Sequence, residues 1–161
     1  MILIVADTGP INYLVQSGHV DVLRSLVDRV VLTALVWEEL KNAGAPSSVR
    51  EWSKTLPDWI EVREPSNMLV LPQQLSTADK AAVSLAAELG ATLLMDDRRG
   101  RQAAHAIGLV TIGTLGILEA ASAKGLLSLP AAIERLRQTS IFLADDLYEK
   151  ALERDARRKA T

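Results

Sequence analysis

The residues best placed to do chemistry in this chain are carboxylates that stand where apolar runs stop. Ile2 to Ala6 is a continuous apolar run ending on Asp7, and Leu93-Leu94-Met95 runs straight into Asp96-Asp97, followed by Arg98, Arg99 and Arg101. An unbroken apolar run of this length reads as a strand buried on both faces. An acid closing it then lies at the carboxyl edge of a sheet, where open α/β folds bind ligands. Helical phase adds two more acids. Asp79 precedes Ala82 and Val83 by three and four residues and turns with the buried face of its helix, opposite Lys80, Ser84 and Glu88. At 100° per residue Glu39 lies about 60° from the core residue Val36, whereas Glu38 lies about 160° away, in water with Lys41 and Asn42 as partners.

Asp7, Glu39, Asp79, Asp97 and the adjacent Asp96 would therefore converge. Two carboxylates about 4 Å apart repel by roughly 4 kcal/mol at an effective dielectric near 20. Such a group persists only if protons or a cation sit within it. An all-oxygen donor set selects Mg²⁺ or Mn²⁺ over zinc, and a divalent ion held by acids suits phosphoryl chemistry. Each acid also has a plainer role, as a helix cap or a solvated loop residue; Asp79 in particular completes an N-terminal cap with Ser76. The three arginines would grip phosphates or neutralise the neighbouring acids.

Composition narrows the alternatives. The chain has 161 residues, 48% of them hydrophobic, with a net charge of −2. That suits one domain with a substantial core and no domain-wide basic field. Without cysteine, disulfides, thiolate metal sites and thiol nucleophiles are excluded. His19 and His105 lie far apart and read as surface or packing residues. No apolar run reaches membrane-spanning length and no leader precedes the first strand, so a cytoplasmic protein is expected.

Strands and helices alternate around these acids. Strands are expected at 2–6, 29–32, 59–62, 92–95 and 109–112. Thr8-Gly9-Pro10 reads as a turn opening a helix over 11–16, and 20–27 reads as another helix. Thr33 caps a helix over 34–42, 47–55 is helical, and 64–76 is the longest irregular connection. Ser76 starts a helix to Leu89 that Gly90 ends. Helices over 98–107, 114–123, 131–137 and 144–157 complete an α/β chain with a central parallel sheet.

The chain resembles the PIN-domain family, the fold of many metal-dependent ribonucleases, including toxins of bacterial and archaeal toxin–antitoxin pairs. The resemblance is carried by Val5-Ala6-Asp7-Thr8-Gly9-Pro10, by Val36-Trp37-Glu38-Glu39-Leu40, and by Ala78-Asp79 with the Ala82–Ala86 run. Leu94 to Arg101 and Gly108 to Gly116 extend it, over about residues 1–127 in all, leaving 128–161 as a C-terminal helical extension of a single domain. It implies a three-layer α/β/α sandwich with sheet order 3-2-1-4-5 and Mg²⁺ or Mn²⁺ held by Asp7, Glu39, Asp79 and Asp97. It also implies RNA cleavage, a homodimer and, for a toxin, a small antitoxin partner. Many PIN nucleases carry Thr or Ser with Asn or Arg before the last acid, where this chain has Met95-Asp96. Two adjacent acids thus compete for one position, with Asp97 favoured and Asp96 beside it. Thr8 would orient Asp7 or a water. A haloacid-dehalogenase-type phosphatase needs a second acid two residues after Asp7, where Gly9 stands, and a receiver domain places its acidic pair elsewhere. The remaining alternative is a catalytically weak PIN scaffold binding RNA or protein. The tail residues Ile133, Leu136, Ile141, Phe142, Leu143, Leu147, Tyr148 and Leu152 would cover the flank of the domain or form a groove for a partner helix.

Overall fold

Side-chain alternation along three short strands divides the core in two. The computed structural model describes residues 1–161. In it β1 (Leu3–Ala6), β2 (Arg29–Leu32), β3 (Ile60–Val62), β4 (Thr92–Leu94) and β5 (Thr111–Ile112) form one parallel sheet in the order β3-β2-β1-β4-β5. This is the expected order. Ile4, Ala6, Val30, Leu32 and Leu94 point to one face, whereas Val5, Val31, Leu93 and Met95 point to the other. The period of two makes each strand apolar on both sides.

The helices cover these faces unequally. The larger apolar cluster is shared by α1 (Thr8–Gln16), α2 (Leu23–Leu26), α3 (Ala34–Lys41), α4 (Ser47–Lys54), α7 (Thr114–Ala123), α8 (Leu129–Arg137) and α9 (Asp145–Ala160). The smaller cluster lies beneath α5 (Thr77–Leu89) and α6 (Arg98–Ala106). The tail is part of this interior: Leu129, Ala132, Ile133, Leu136, Tyr148 and Ala151 belong to the larger cluster. No helix is long and apolar enough to cross a membrane.

Local signals placed most element ends. Thr33 accepts from the Val36 N–H and Ser76 from the Asp79 N–H, each satisfying a first-turn donor. Gly90 closes α5 at φ 61°, in the left-handed region. Three expectations need correction. Thr8-Gly9-Pro10 is no preliminary turn, because α1 begins at Thr8 with Asp7 as its N-cap and Pro10 inside the first turn. The helix expected over 20–27 divides into a 3-10 turn at Val20–Val22 and the short α2. Ser84, placed by phase on the solvent side of α5, is 2% exposed. The connection after β3 crosses that side of the helix, and Ser84 accepts from the Leu69 N–H at 3.0 Å while Glu88 accepts from the Ser66 N–H at 2.8 Å.

Candidate active site

Asp7 leaves β1 on the face covered by α5, the next position after Val5 in the period-two pattern. Its backbone N–H donates to the Leu94 carbonyl at 2.9 Å, which ties the end of β1 to the end of β4. The residue is only 8% exposed. Burial pushes its pKa from 3.8 up to about 7, with the carboxylates of Asp79 and Glu39 adding to the rise and the Thr8 backbone amide opposing it. Asp79, half-buried in the first turn of α5, is the carboxylate that acts most strongly on Asp7. The cap with Ser76 uses the Asp79 backbone N–H and leaves its carboxylate free to turn inward.

Glu39 arrives from α3. It is exposed rather than at the margin of the core, yet it is held: the Thr8 hydroxyl donates to Oε2 at 2.6 Å. Thr8 thus orients Glu39 through its hydroxyl, a link across 31 residues that the sequence pattern did not suggest. Glu38 faces solvent and pairs with Lys41 at 3.0 Å.

The two adjacent acids after β4 part company. Met95 still donates to the Ile112 carbonyl, so the strand alternation continues past Leu94. Asp96 falls on the α7 face, where it accepts from the Thr114 N–H at 2.8 Å and the Thr114 hydroxyl at 2.6 Å. Thr114 itself is fully buried. Asp97 instead caps α6, accepting from the Gly100 N–H at 2.8 Å. Asp97 is exposed, with one carboxylate edge engaged in the cap.

Two glycines make this turn possible. A Cβ at Gly100 would collide with the Met95 sulfur. A Cβ at Gly113 would lie 2.8 Å from Asp96 Oδ1 and 2.9 Å from a nitrogen of Arg101. The arginines divide likewise. Arg98 and Arg101 line a groove of about 550 Å³ between α6, β5, α7 and α9, whereas Arg99 lines a separate hollow beside Pro72 and Leu75. None of the three forms an ion pair with a carboxylate.

The histidines stand apart from the acids. His105 Nε2 shares a hydrogen bond with the Thr111 hydroxyl at 2.7 Å, and His19 Nδ1 is buried without a partner.

Asp7, Asp79 and Glu39 have the donor chemistry of a hard-cation site, and burial first, then the neighbouring carboxylates, disfavour a bare charge on Asp7. The side chains are not drawn together as they stand: no three acids lie close enough to share one ion. The fit is therefore one of chemistry and charge, with contraction of the carboxylates left to binding.

Comparison with known proteins gives a family match over nearly the whole chain. A family model described as "DUF3368: PIN domain" matches residues 3–157, including α8 and most of α9. No curated protein matches. Among solved structures, the chain is similar to "a PilT N-terminus domain protein SSO1118 from hyperthemophilic archaeon Sulfolobus solfataricus P2". That match has 14% identity and a TM-score of 0.49, covering 89% of this chain and 100% of that one.

Proposed function

The chain belongs to the PIN-domain family, and from that premise we propose that it is a Mg²⁺- or Mn²⁺-dependent endoribonuclease. The observation that supports this most is Asp7: a buried carboxylate at a sheet edge, raised to a pKa of about 7 with two further acids acting on it. Asp7, Asp79, Glu39 and Asp97 would hold the ion, and Asp96, committed to Thr114, would not. When bound, the ion supplies an activated water and neutralises charge developing on the phosphate oxygens. Thr8 keeps Glu39 directed into the site. Asp97, by capping α6, sets the direction of the helix that carries Arg98 and Arg101, which hold phosphates of the substrate.

In this reading the protein works in the cytoplasm as the toxin of a type II toxin–antitoxin pair, as a homodimer restrained by a small antitoxin protein. Cleavage of single-stranded RNA with Mg²⁺ or Mn²⁺, abolished by EDTA, is the test. A water nucleophile leaves 5′-phosphate and 3′-hydroxyl ends, whereas cyclic-phosphate products or full activity in EDTA would overturn the mechanism. One observation favours a second reading. The acids are not gathered around a common point, as they need not be in a scaffold that only binds RNA or protein. Calorimetric titration with Mn²⁺ separates the two, because the scaffold would bind none at micromolar to millimolar concentration.

A further inference from the structure

Phe142 is the only phenylalanine of the chain and is 93% exposed. An isolated apolar residue on a surface means little by itself; its position gives it meaning. It stands in the connection between α8 and α9. Two residues before it, Ser140 lines the hollow that holds Thr8 and Glu39. One residue after it, Leu143 lines the groove that holds Arg98 and Arg101. The ring therefore rises on the ridge between the hollow of Thr8 and Glu39 and the cationic groove. Three residues of backbone span at most about 10 Å, so the ridge is narrow.

Arg98, Arg101, Lys150 and Arg154 line the groove against the two acids Asp96 and Glu119. Its two acids are already engaged, Asp96 by Thr114 and Glu119 by a two-pronged contact with Arg154 at 2.9 and 3.2 Å. Arg98 and Arg101, three residues apart on one side of α6, have no carboxylate partner, and Ile112 and Leu143 supply apolar wall beside them. Paired cations beside an exposed aromatic ring form a surface for an unpaired nucleic-acid strand, in which backbone charge and base faces are both available.

We infer that the ridge and groove form a track for single-stranded RNA leading away from the acids. Phe142 stacks a base, and Arg98 and Arg101 hold phosphates beyond it. This rests on the ribonuclease reading and adds Phe142 as the stacking residue, the path of the strand and Arg99 as the arginine left out. The test is binding of a fluorescent twelve-nucleotide single-stranded RNA to the full chain in EDTA, where no turnover occurs. Phe142→Ala should weaken binding about tenfold without changing its salt dependence, and Phe142→Tyr should restore it. Arg98→Ala with Arg101→Ala should lower the slope of log affinity against log salt by about 1.4, at roughly 0.7 per contact. Arg99→Ala should leave both quantities unchanged, and a duplex of equal length should be indifferent to Phe142. Equal binding by wild type and Phe142→Ala, or no single-strand binding by wild type, overturns the track. So does dissociation of a dimer by Phe142→Ala in sedimentation, which would give the ring to a protein contact. Wild-type binding in EDTA without cleavage in Mn²⁺ would instead overturn the nuclease reading and leave the track standing.

Discussion

At the scale of single residues, Asp7 makes the sharpest demand. Its carboxyl titrates near 7 in the folded protein and near 3.8 when unperturbed. Between those values the native state keeps a proton that the unfolded chain has released. Stability therefore falls as pH rises from about 4 to about 7 and levels off above. At 1.36 kcal/mol per unit the loss is at most about 4 kcal/mol. Asp7→Asn should flatten that slope and raise the metal-free Tm at pH 8. It should also abolish the stabilisation that Mn²⁺ confers on the wild type, as read by calorimetry at both pH values. The neighbouring glutamates provide a second contrast. Glu39→Gln keeps an oxygen for the Thr8 hydroxyl but loses the charge, so cleavage should fail in a folded protein. Glu38→Gln loses only an exposed pairing with Lys41, a change of under about 0.5 kcal/mol. The reverse outcome in an RNA-cleavage assay would move the site to Glu38. Asp96 and Asp97 divide similarly. Asp96→Asn can still accept from the Thr114 N–H while its amide donates to the hydroxyl, so metal affinity should survive. Asp97→Asn should weaken metal binding.

Elements depend on close approaches that a single atom can spoil. α6 reaches the sheet only because Gly100 lets it pass the buried sulfur of Met95. Gly100→Ala overpacks that contact and should cost about 1–3 kcal/mol, shifting the cap at Asp97 and reducing metal affinity with it. Denaturant unfolding and a Mn²⁺ titration on the same variant would show whether both effects occur. α9 is anchored by a buried acid. Asp155, 3% exposed, accepts from the Ser122 hydroxyl at 2.6 Å and pairs with Lys159 at 3.0 Å and Arg158 at 3.5 Å. Burial raises its pKa, but Ser122 and the two cations outweigh that and hold it below 3.8. Its contribution is present above the unfolded pKa and lost as pH falls through the depressed folded value. Asp155→Ala leaves Ser122 without a partner and should cost about 1–3 kcal/mol near neutral pH, a deficit that narrows in strong acid.

For the molecule as a whole, the C-terminal helices are interior structure. Deleting residues 129–161 would strip Leu129, Ile133, Leu136, Tyr148 and Ala151 from the larger apolar cluster. At about 1.5–3 kcal/mol for each large side chain, the loss approaches or exceeds the 5–15 kcal/mol that holds a typical domain together. The truncated chain should be unfolded or insoluble by circular dichroism. A folded, soluble product would mean that α8 and α9 only rest on a domain complete without them.

What the sequence alone determined was local in its physics. An apolar run without alternation specifies a strand covered on both faces, which located the strand ends at Asp7 and before Asp96. A serine or threonine before a periodic segment and a glycine after it specify helix ends, which placed the caps at Thr33, Ser76 and Gly90. Helical phase set Glu38 in water. It failed at Ser84 because phase describes one helix, whereas burial there comes from a connection folded back across it. The tertiary structure decided everything that depends on residues far apart in the chain. Thr8 meets Glu39 across 31 positions. Asp96 and Asp97, adjacent and chemically identical, take different partners because Thr114 at the start of α7 engages the first and the first turn of α6 engages the second. The three arginines of one motif are shared between two hollows because α7 and α9 rise on one side of α6 and the connection before α5 on the other. Spacing along a strand or helix is written in the order of residues, but the charge state of Asp7 is not. It follows from how much water the folded chain excludes and which carboxylates it brings near.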